Sequence, residues 1–447
     1  LDKLSLEFSS LSKKSKEDRP ELVFNSIIGC FSGFRESKEG IDYNSLYKDL
    51  LSGNTVFLYE GYEKYLSIAT SKNEGRAITE PTSQTTVKGP KDAFTEDINK
   101  NVFLIRKRIN NEALRVEELT VGSVTHTGVR LIYLSGTAKD DIVQEIRDRL
   151  SKLDNDSILE SGYIEEYIKE DKYSIFPTIL SSERPDAVAG ALLEGRVAIV
   201  TDGTPYVLTL PALIYESIHA SEDYYHNFMV SSFMRLLRYI AMGMTLLIPS
   251  LYIAVTTFHH EVIPTPLLIS IAAQREGLPL PSAAEVFLME LVFELLREAG
   301  IRMQKAIGPA ISIVGALVLG QAAVEAGLVS AGVVIVVSIT AISSFSITNY
   351  EMSNCVRLLR FGFILIAGFL GLFGMSIMLI VVIVHLCKLK TAGVPYLTPV
   401  APKVRGCNSD TFLRFPLWLQ KYRPAGISKN TSSRTATKPP VNPDFRD

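Results

Sequence analysis

The chain has 447 residues, with 46 lysines and arginines against 48 aspartates and glutamates, for a net charge of −2. That balance excludes the strongly basic surface a nucleic-acid-binding protein needs, so no nucleic-acid partner is expected. The four cysteines, Cys30, Cys355, Cys387 and Cys407, have no CxxC spacing, which excludes a disulfide framework and a cysteine-based zinc site. A mean hydropathy of +0.19 averages over two unlike parts, because the charges lie mostly before Arg235 and after Leu386. The chain begins at Leu1 with no basic stretch ahead of an apolar run, so no secretory signal is expected in it.

In chain order, residues 1–21 are polar and charged and read as a flexible arm. Val23–Phe34 reads as a short helix, and Thr55–Tyr59 and Tyr65–Ala69 as strands joined by a turn at Gly61. The most distinctive soluble segment is Thr79–Ile109, TEPTSQTTVKGPKDAFTEDINKNVFLIRKRI. Thr95 is the expected N-cap of a helix whose apolar positions are Ile98, Val102, Ile105 and Ile109, with basic residues in its last turn. Two readings stand side by side: a well-capped packed helix, or a basic patch of Lys88, Lys91, Arg106 and Arg108 for a partner or an anion. Neither GxxxxGK[ST] nor GxGxxG is present here. Strands are expected at Glu117–Val121, Val129–Leu134, Val197–Thr201 and Tyr206–Leu210, with helices at Asp140–Leu150 and Asp186–Leu193. Together these predict an α+β region of two small subdomains, 22–155 and 156–222. His126, His219 and His226 lack metal-ligand spacing, and no Ser-His-Asp or Cys-His arrangement is present, so no metal, no cofactor and no enzymatic activity are expected.

From residue 223 to 390 the pattern is that of a helical membrane bundle. Four runs approach or exceed the ~20 apolar residues needed to cross a bilayer: 239–258, 308–329, 331–348 and 361–385. The second and third form a hairpin, and Ala316, Gly320, Ala323 and Gly327 have the small-xxx-small spacing that lets helices approach closely. Ala367, Gly368, Gly371 and Gly374 repeat that signal in the last run. Arg235 and Arg238 before the first run and Lys388 and Lys390 after the last place both ends of the bundle in the cytoplasm. Residues 264–273 are too short to cross, and GLPLP at Gly277–Pro281 breaks what precedes it. Residues 283–303 are amphipathic, with Glu290, Glu294, Arg297 and Glu298 opposite Phe287, Leu288, Leu291 and Leu295. That helix reads either as interfacial, with its charged face in water, or as one that lines water within the bundle. Gln321 and Glu325 are the other polar groups at membrane depth. Residues 391–447 are expected to be a cytoplasmic tail with a disordered Ser/Thr/Lys/Pro-rich end. Within it Trp418, with Arg414 and Lys421, reads either as resting on lipid headgroups or as docked on the soluble domain.

Four segments, Glu80–Ile109, ELLREAGIRMQKAIGPAISIVGALVLGQAAVEAGLVS, SITNYEMSNCVRLLRF and GVPYLTPVAPK with RFPLWL, carry a resemblance over nearly the whole chain. The sequence resembles the A subunit of the spore germination receptors of endospore-forming bacteria, the GerA family. Members commonly have Glu where Gln84 stands and Arg where Lys88 stands. The resemblance implies a cytoplasmic two-part N-terminal domain, a membrane domain in the spore inner membrane, and a receptor complex with B and C subunits. It also implies a ring-shaped homo-oligomer that passes monovalent cations, with Glu80, Pro81, Lys88, Gly89, Pro90, Arg106 and Arg108 as the soluble family motif. In such a ring, Glu290, Glu294, Gln321 and Glu325 are the candidate pore or polar membrane face. The alternatives are a secondary transporter of a small solute, prompted by the broken segment at 264–281, and a non-conducting scaffold.

Overall fold

The computed structural model describes residue 24 and residues 37–51, 53–58, 60, 63–68, 81, 84, 86–302, 318–404, 410–420, 422–424 and 426–429. The expected arm, most of the Val23–Phe34 helix, Glu80, residues 308–317 of the hairpin and the disordered end lie outside the described residues.

The N-terminal part contains two antiparallel sheets. Strands β1 (Ser37–Gly40), β2 (Thr55–Phe57) and β3 (Tyr65–Ile68) form the smaller, in the order β1-β3-β2, with helix α1 (Tyr43–Leu51) beside it. The larger sheet has the order β4-β5-β7-β8-β6, from β4 (Leu114–Val121), β5 (Thr127–Leu134), β6 (Leu180–Ser182), β7 (Val197–Thr201) and β8 (Val207–Leu210). Side chains alternate between its faces. Val129, Leu131, Val197 and Ile199 meet helices α3 (Asp140–Ser151) and α4 (Ser161–Ile168) on one face. Ile132, Ala198 and Val200 meet α2 (Ile98–Arg108) and α5 (Pro185–Leu193) on the other. Strand β7 is buried on both faces, which its unbroken run VAIVT requires.

Two expectations need correction here. Strands from both sides of residue 155 share the five-stranded sheet, so no division into two hydrogen-bonded units falls there. The N-cap of α2 is Asp97, whose carboxylate accepts from the backbone N–H of Asn99 at 2.9 Å and of Lys100 at 3.4 Å. Thr95 is instead held by buried Asn101, which accepts from the Thr95 N–H at 2.8 Å and donates to its carbonyl at 2.6 Å.

The C-terminal part is helical: α6 (Phe228–Thr257), α7 (Thr265–Arg275), α8 (Ser282–Arg302), α9 (318–325), α10 (Ala331–Ser344) and α11 (Tyr350–Lys388). Helices α6 and α11 are long and apolar enough to cross a membrane. Pro249 sits inside α6 without ending it. The run 361–385 is not one span, because Gly371, at φ 59° and ψ −144°, breaks α11. This is a conformation essentially confined to glycine. The limbs fold back on each other: the Met378 Sδ-methyl lies 3.3 Å from where a Cβ on Gly362 would be, and Val382 and Leu386 pack with Met352 and Cys355. The Phe258 side chain lies 3.0 Å from where a Gly371 Cβ would be, so the far end of α6 fills the turn of this helical hairpin.

Helix α8 packs against this hairpin, with the Ala283 Cβ 3.1 Å from where a Cβ on Gly368 would lie. Buried Glu285 accepts from the Ser330 N–H at 2.9 Å, which ties α8 to the start of α10. Glu290 and Glu294 of α8 turn inward, whereas Glu298 stays exposed with Leu288, Leu291 and Leu295, and Phe287 packs inside against Phe361. Of the two readings of this helix, a solvated charged face does not describe Glu290 and Glu294, which lie inside the bundle.

The tail returns to the α/β part as a strap. Strands β9 (Lys390–Thr391) and β10 (Val394–Pro395) pair, Tyr396 and Ile427 are fully buried, and Ala138 bridges Ser428. Arg414 faces inward, donating to the His226 carbonyl at 2.8 Å with its guanidinium over the Tyr224 ring. Trp418 meets Phe228 edge-on. Arg414 and Trp418 dock within the chain, on Tyr224, His226 and Phe228 at the base of α6 rather than on the soluble domain as expected.

At the base of α6, Arg235 is fully buried between Asp223 and Asp410, at 3.3 and 2.8 Å. Beside it the His219 ring bonds the Thr411 carbonyl at 2.8 Å; a carbonyl only accepts, so Nε2 carries the proton. Loss of water on packing, then the Arg235 charge, hold His219 well below the ordinary histidine range. The unfolded chain therefore binds a proton below pH ~6.5 that the folded chain refuses, and stability is lost as pH falls. His219→Gln is expected to remove a contribution of about 1.4 kcal/mol per pH unit below that point, read as a flatter dependence of Tm on pH. Short thiol-reactive cross-linking of Gly362→Cys with Met378→Cys is expected to succeed; in an unbroken helix those positions lie roughly 24 Å apart and it fails.

Candidate functional site

Two apolar helices form the site. Helix α8 brings Glu290 and Glu294, one turn apart, to the face of α11 that carries Arg357 and Arg360. Residues at this spacing share one helix face, so two carboxylates meet two guanidinium groups in register. Arg360 Nη2 lies 3.0 Å from Glu290 and 2.7 Å from Glu294, and Arg357 Nη1 lies 2.9 Å from Glu294. Glu290 and Arg360 are 0% exposed. Burial of this kind is tolerated only when charges are paired, since desolvation costs several kcal/mol per ion. Arg297, a turn beyond Glu294, adds a further cation to the group.

Sequence-predicted residues separate into three places. Glu290 and Glu294 come together, but they face α11 of the same chain, which corrects the expectation of an open acidic face. Gln321 and Glu325 are exposed on α9, where Gln321 Nε2 donates to Glu325 Oε1 at 2.9 Å. The soluble motif lies apart from both. Pro81 is buried, while Lys88, Gly89 and Pro90 lie on an exposed loop. Arg106 is exposed, whereas Arg108 makes a two-pronged pair with Asp92 at 2.5 and 2.6 Å. Arg108 is thereby spent inside its own domain, which removes it from the basic patch of the sharper reading.

Arg357 and Arg360 are the residues of this cluster that sequence reasoning missed. Arg357 and Arg360 stand three apart immediately before the apolar run that begins at Phe361. Two arginines on one helix face, entering an apolar stretch, were the available signal for a buried charge partner. Among the described residues, no group of three or more histidines, cysteines or carboxylates is placed to hold a metal ion.

The sequence model of the Bacillus/Clostridium GerA spore germination protein family matches residues 3–426. Spore germination protein KA of Bacillus subtilis is 44% identical over 392 residues, covering 88% of this chain and 72% of its own. Spore germination protein B1 of the same organism is 40% identical, covering 90% of this chain and 83% of its own. A crystal structure of the N-terminal domain of the A subunit of the Bacillus megaterium spore germinant receptor GerK3 is 37% identical. It covers 45% of this chain and 71% of its own, with a TM-score of 0.34. By the extent of the family match and the identity of these relatives, the chain belongs to the Bacillus/Clostridium GerA family of spore germination proteins.

Proposed function

We propose that this chain is the membrane-embedded A subunit of a germinant receptor, and that it conducts monovalent cations or transduces the signal at the start of germination. It sits in the spore inner membrane with its α/β part and tail in the cytoplasm, and it works with B and C subunits. The inside-out character of the helical part supports a bilayer around it. Leu295 is 63% exposed, Phe373 70% and Phe369 80%, while Glu290 and Arg360 are hidden. Lipid is the solvent that such a surface fits. The limbs of α11, 350–370 and 372–388, measure roughly 31 and 25 Å at 1.5 Å per residue, close to the thickness of a hydrocarbon core.

The observation that carries the conducting role is the exposed Gln321–Glu325 pair. A carboxylate facing lipid is costly, so this face belongs against water or another copy. In a ring of copies, Glu325 repeated once per subunit makes an acidic constriction that favours cations. Glu290 and Glu294 serve differently. Paired with Arg357 and Arg360, they hold α8 against α11 in the resting arrangement.

Potassium efflux from liposomes containing the full chain, with B and C subunits and a germinant mixture, tests the assignment. Glu325→Gln is expected to lower efflux or cation selectivity several-fold with the oligomer intact; unchanged efflux removes Glu325 from the pore. The buried pair is tested by stability. Arg360→Leu alone leaves Glu290 uncompensated and is expected to cost about 3–5 kcal/mol, while Arg360→Leu with Glu290→Leu recovers most of that loss in a detergent melt.

A further inference from the structure

Lys88, Gly89 and Pro90 belong to no part of the helical bundle, yet their loop is built onto its base. The hub is Arg184, whose side chain is 3% exposed. Its Nη1 donates to the Gln84 carbonyl at 3.3 Å and to Thr86 Oγ1 at 2.8 Å, and its Nη2 donates to the Pro90 carbonyl at 3.2 Å. The remaining donors go to Asp186, at 3.1 Å from Nε and 2.6 Å from Nη2. All five N–H groups of the guanidinium are thereby used, three of them on the loop. Asp186 also accepts from the Tyr225 hydroxyl at 2.6 Å. The Tyr225 ring lies flush against Gly89: a Cβ there, at φ +137°, would fall 2.7 Å from Tyr225 Cε2. The Val87 N–H approaches Glu222 at 3.4 Å.

Tyr225 stands two residues before Asn227, the N-cap of α6. Between Glu222 and Tyr225 lies Asp223, whose carboxylate holds Arg235 and Arg238 of α6 and whose carbonyl accepts from Ser231 Oγ at 2.6 Å. A displaced Tyr225 ring therefore moves the one short turn that anchors three residues of α6. We propose that the loop of Gln84 and residues 86–90 is a coupling element that fixes the base of α6 through Tyr225, so that a shift of this loop in the α/β domain is delivered to the first helix of the bundle. Arg184 acts as the positioning residue that holds the loop in place. The exposed loop tip, with Val87 92% exposed, is where such a shift starts. This coupling does not depend on whether the chain conducts ions.

Hydrogen exchange on the purified full chain in detergent reads the coupling directly. Gly89→Ala pushes a methyl group into the Tyr225 ring, and Tyr225→Phe removes only the bond to Asp186. Both are expected to speed exchange of amides 228–236 several-fold while the five-stranded sheet keeps its protection. Lys88→Ala, on the exposed side of the same loop, leaves those amides unchanged. Removing the ring takes away the steric contact but not the strain of φ +137°, so Gly89→Ala with Tyr225→Ala keeps a local effect on the loop and is expected to speed exchange of amides 228–236 no further than Tyr225→Ala alone. Changes confined to residues 84–94 in Gly89→Ala, or effects of the two substitutions that simply add, would overturn the coupling.

Discussion

The pairing of Glu290 and Glu294 with Arg357 and Arg360 decides which way α8 faces, and much of the bundle follows from that choice. Two carboxylates four residues apart repel each other along a helix, and an apolar interior tolerates neither unpaired. Turning both toward α11 neutralises them and leaves Leu288, Leu291 and Leu295 outside. The same turn brings Ala283 against Gly368 and Glu285 against the start of α10, so packing and charge select one orientation. Such a pair contributes little net stability against an apolar substitute, but it makes other rotations of α8 expensive. Its role is specificity of arrangement.

The α/β part was largely legible in the sequence. Alternating apolar residues in β4 and β5, the all-apolar β7, and the turn at Gly203 each state a local preference that the sheet then satisfies. What stayed hidden was pairing: no local pattern says that β5 meets β7 across the whole α3–β6 stretch, and so a boundary at 155 does not hold. Thr95 lost the N-cap to Asp97 because Asn101 captured its backbone, a contact between side chain and loop that propensity does not rank.

The helical part was legible as apolar and illegible in its turns. Gly371 sits among Ala367, Gly368 and Gly374, where glycine ordinarily signals close helix approach, and nothing in a 25-residue apolar run marks one glycine as a reversal. Only the left-handed backbone and the Phe258 ring beside it identify the turn. For α8 an amphipathic pattern predicts two faces and leaves both readings open, and the choice of which face is buried depends on the arginines of a helix far away in sequence. The composition of the tail suggests exposure to solvent, yet Tyr396, Arg414 and Ile427 bury it against the rest of the chain.

Helix α6 runs unbroken from the charged junction at Asp223 and Asp410 to Phe258 at the Gly371 turn, a length of roughly 45 Å. Both of its ends are seated: one among ion pairs, the other against the Gly371 turn. Mechanically it is a rod with one weak point, Pro249, where a backbone hydrogen bond is missing. A displacement of its base is carried toward Phe258 along one continuous element, with Pro249 as the place where it bends. The far end of the helical bundle thus has a continuous connection to the α/β domain within a single element.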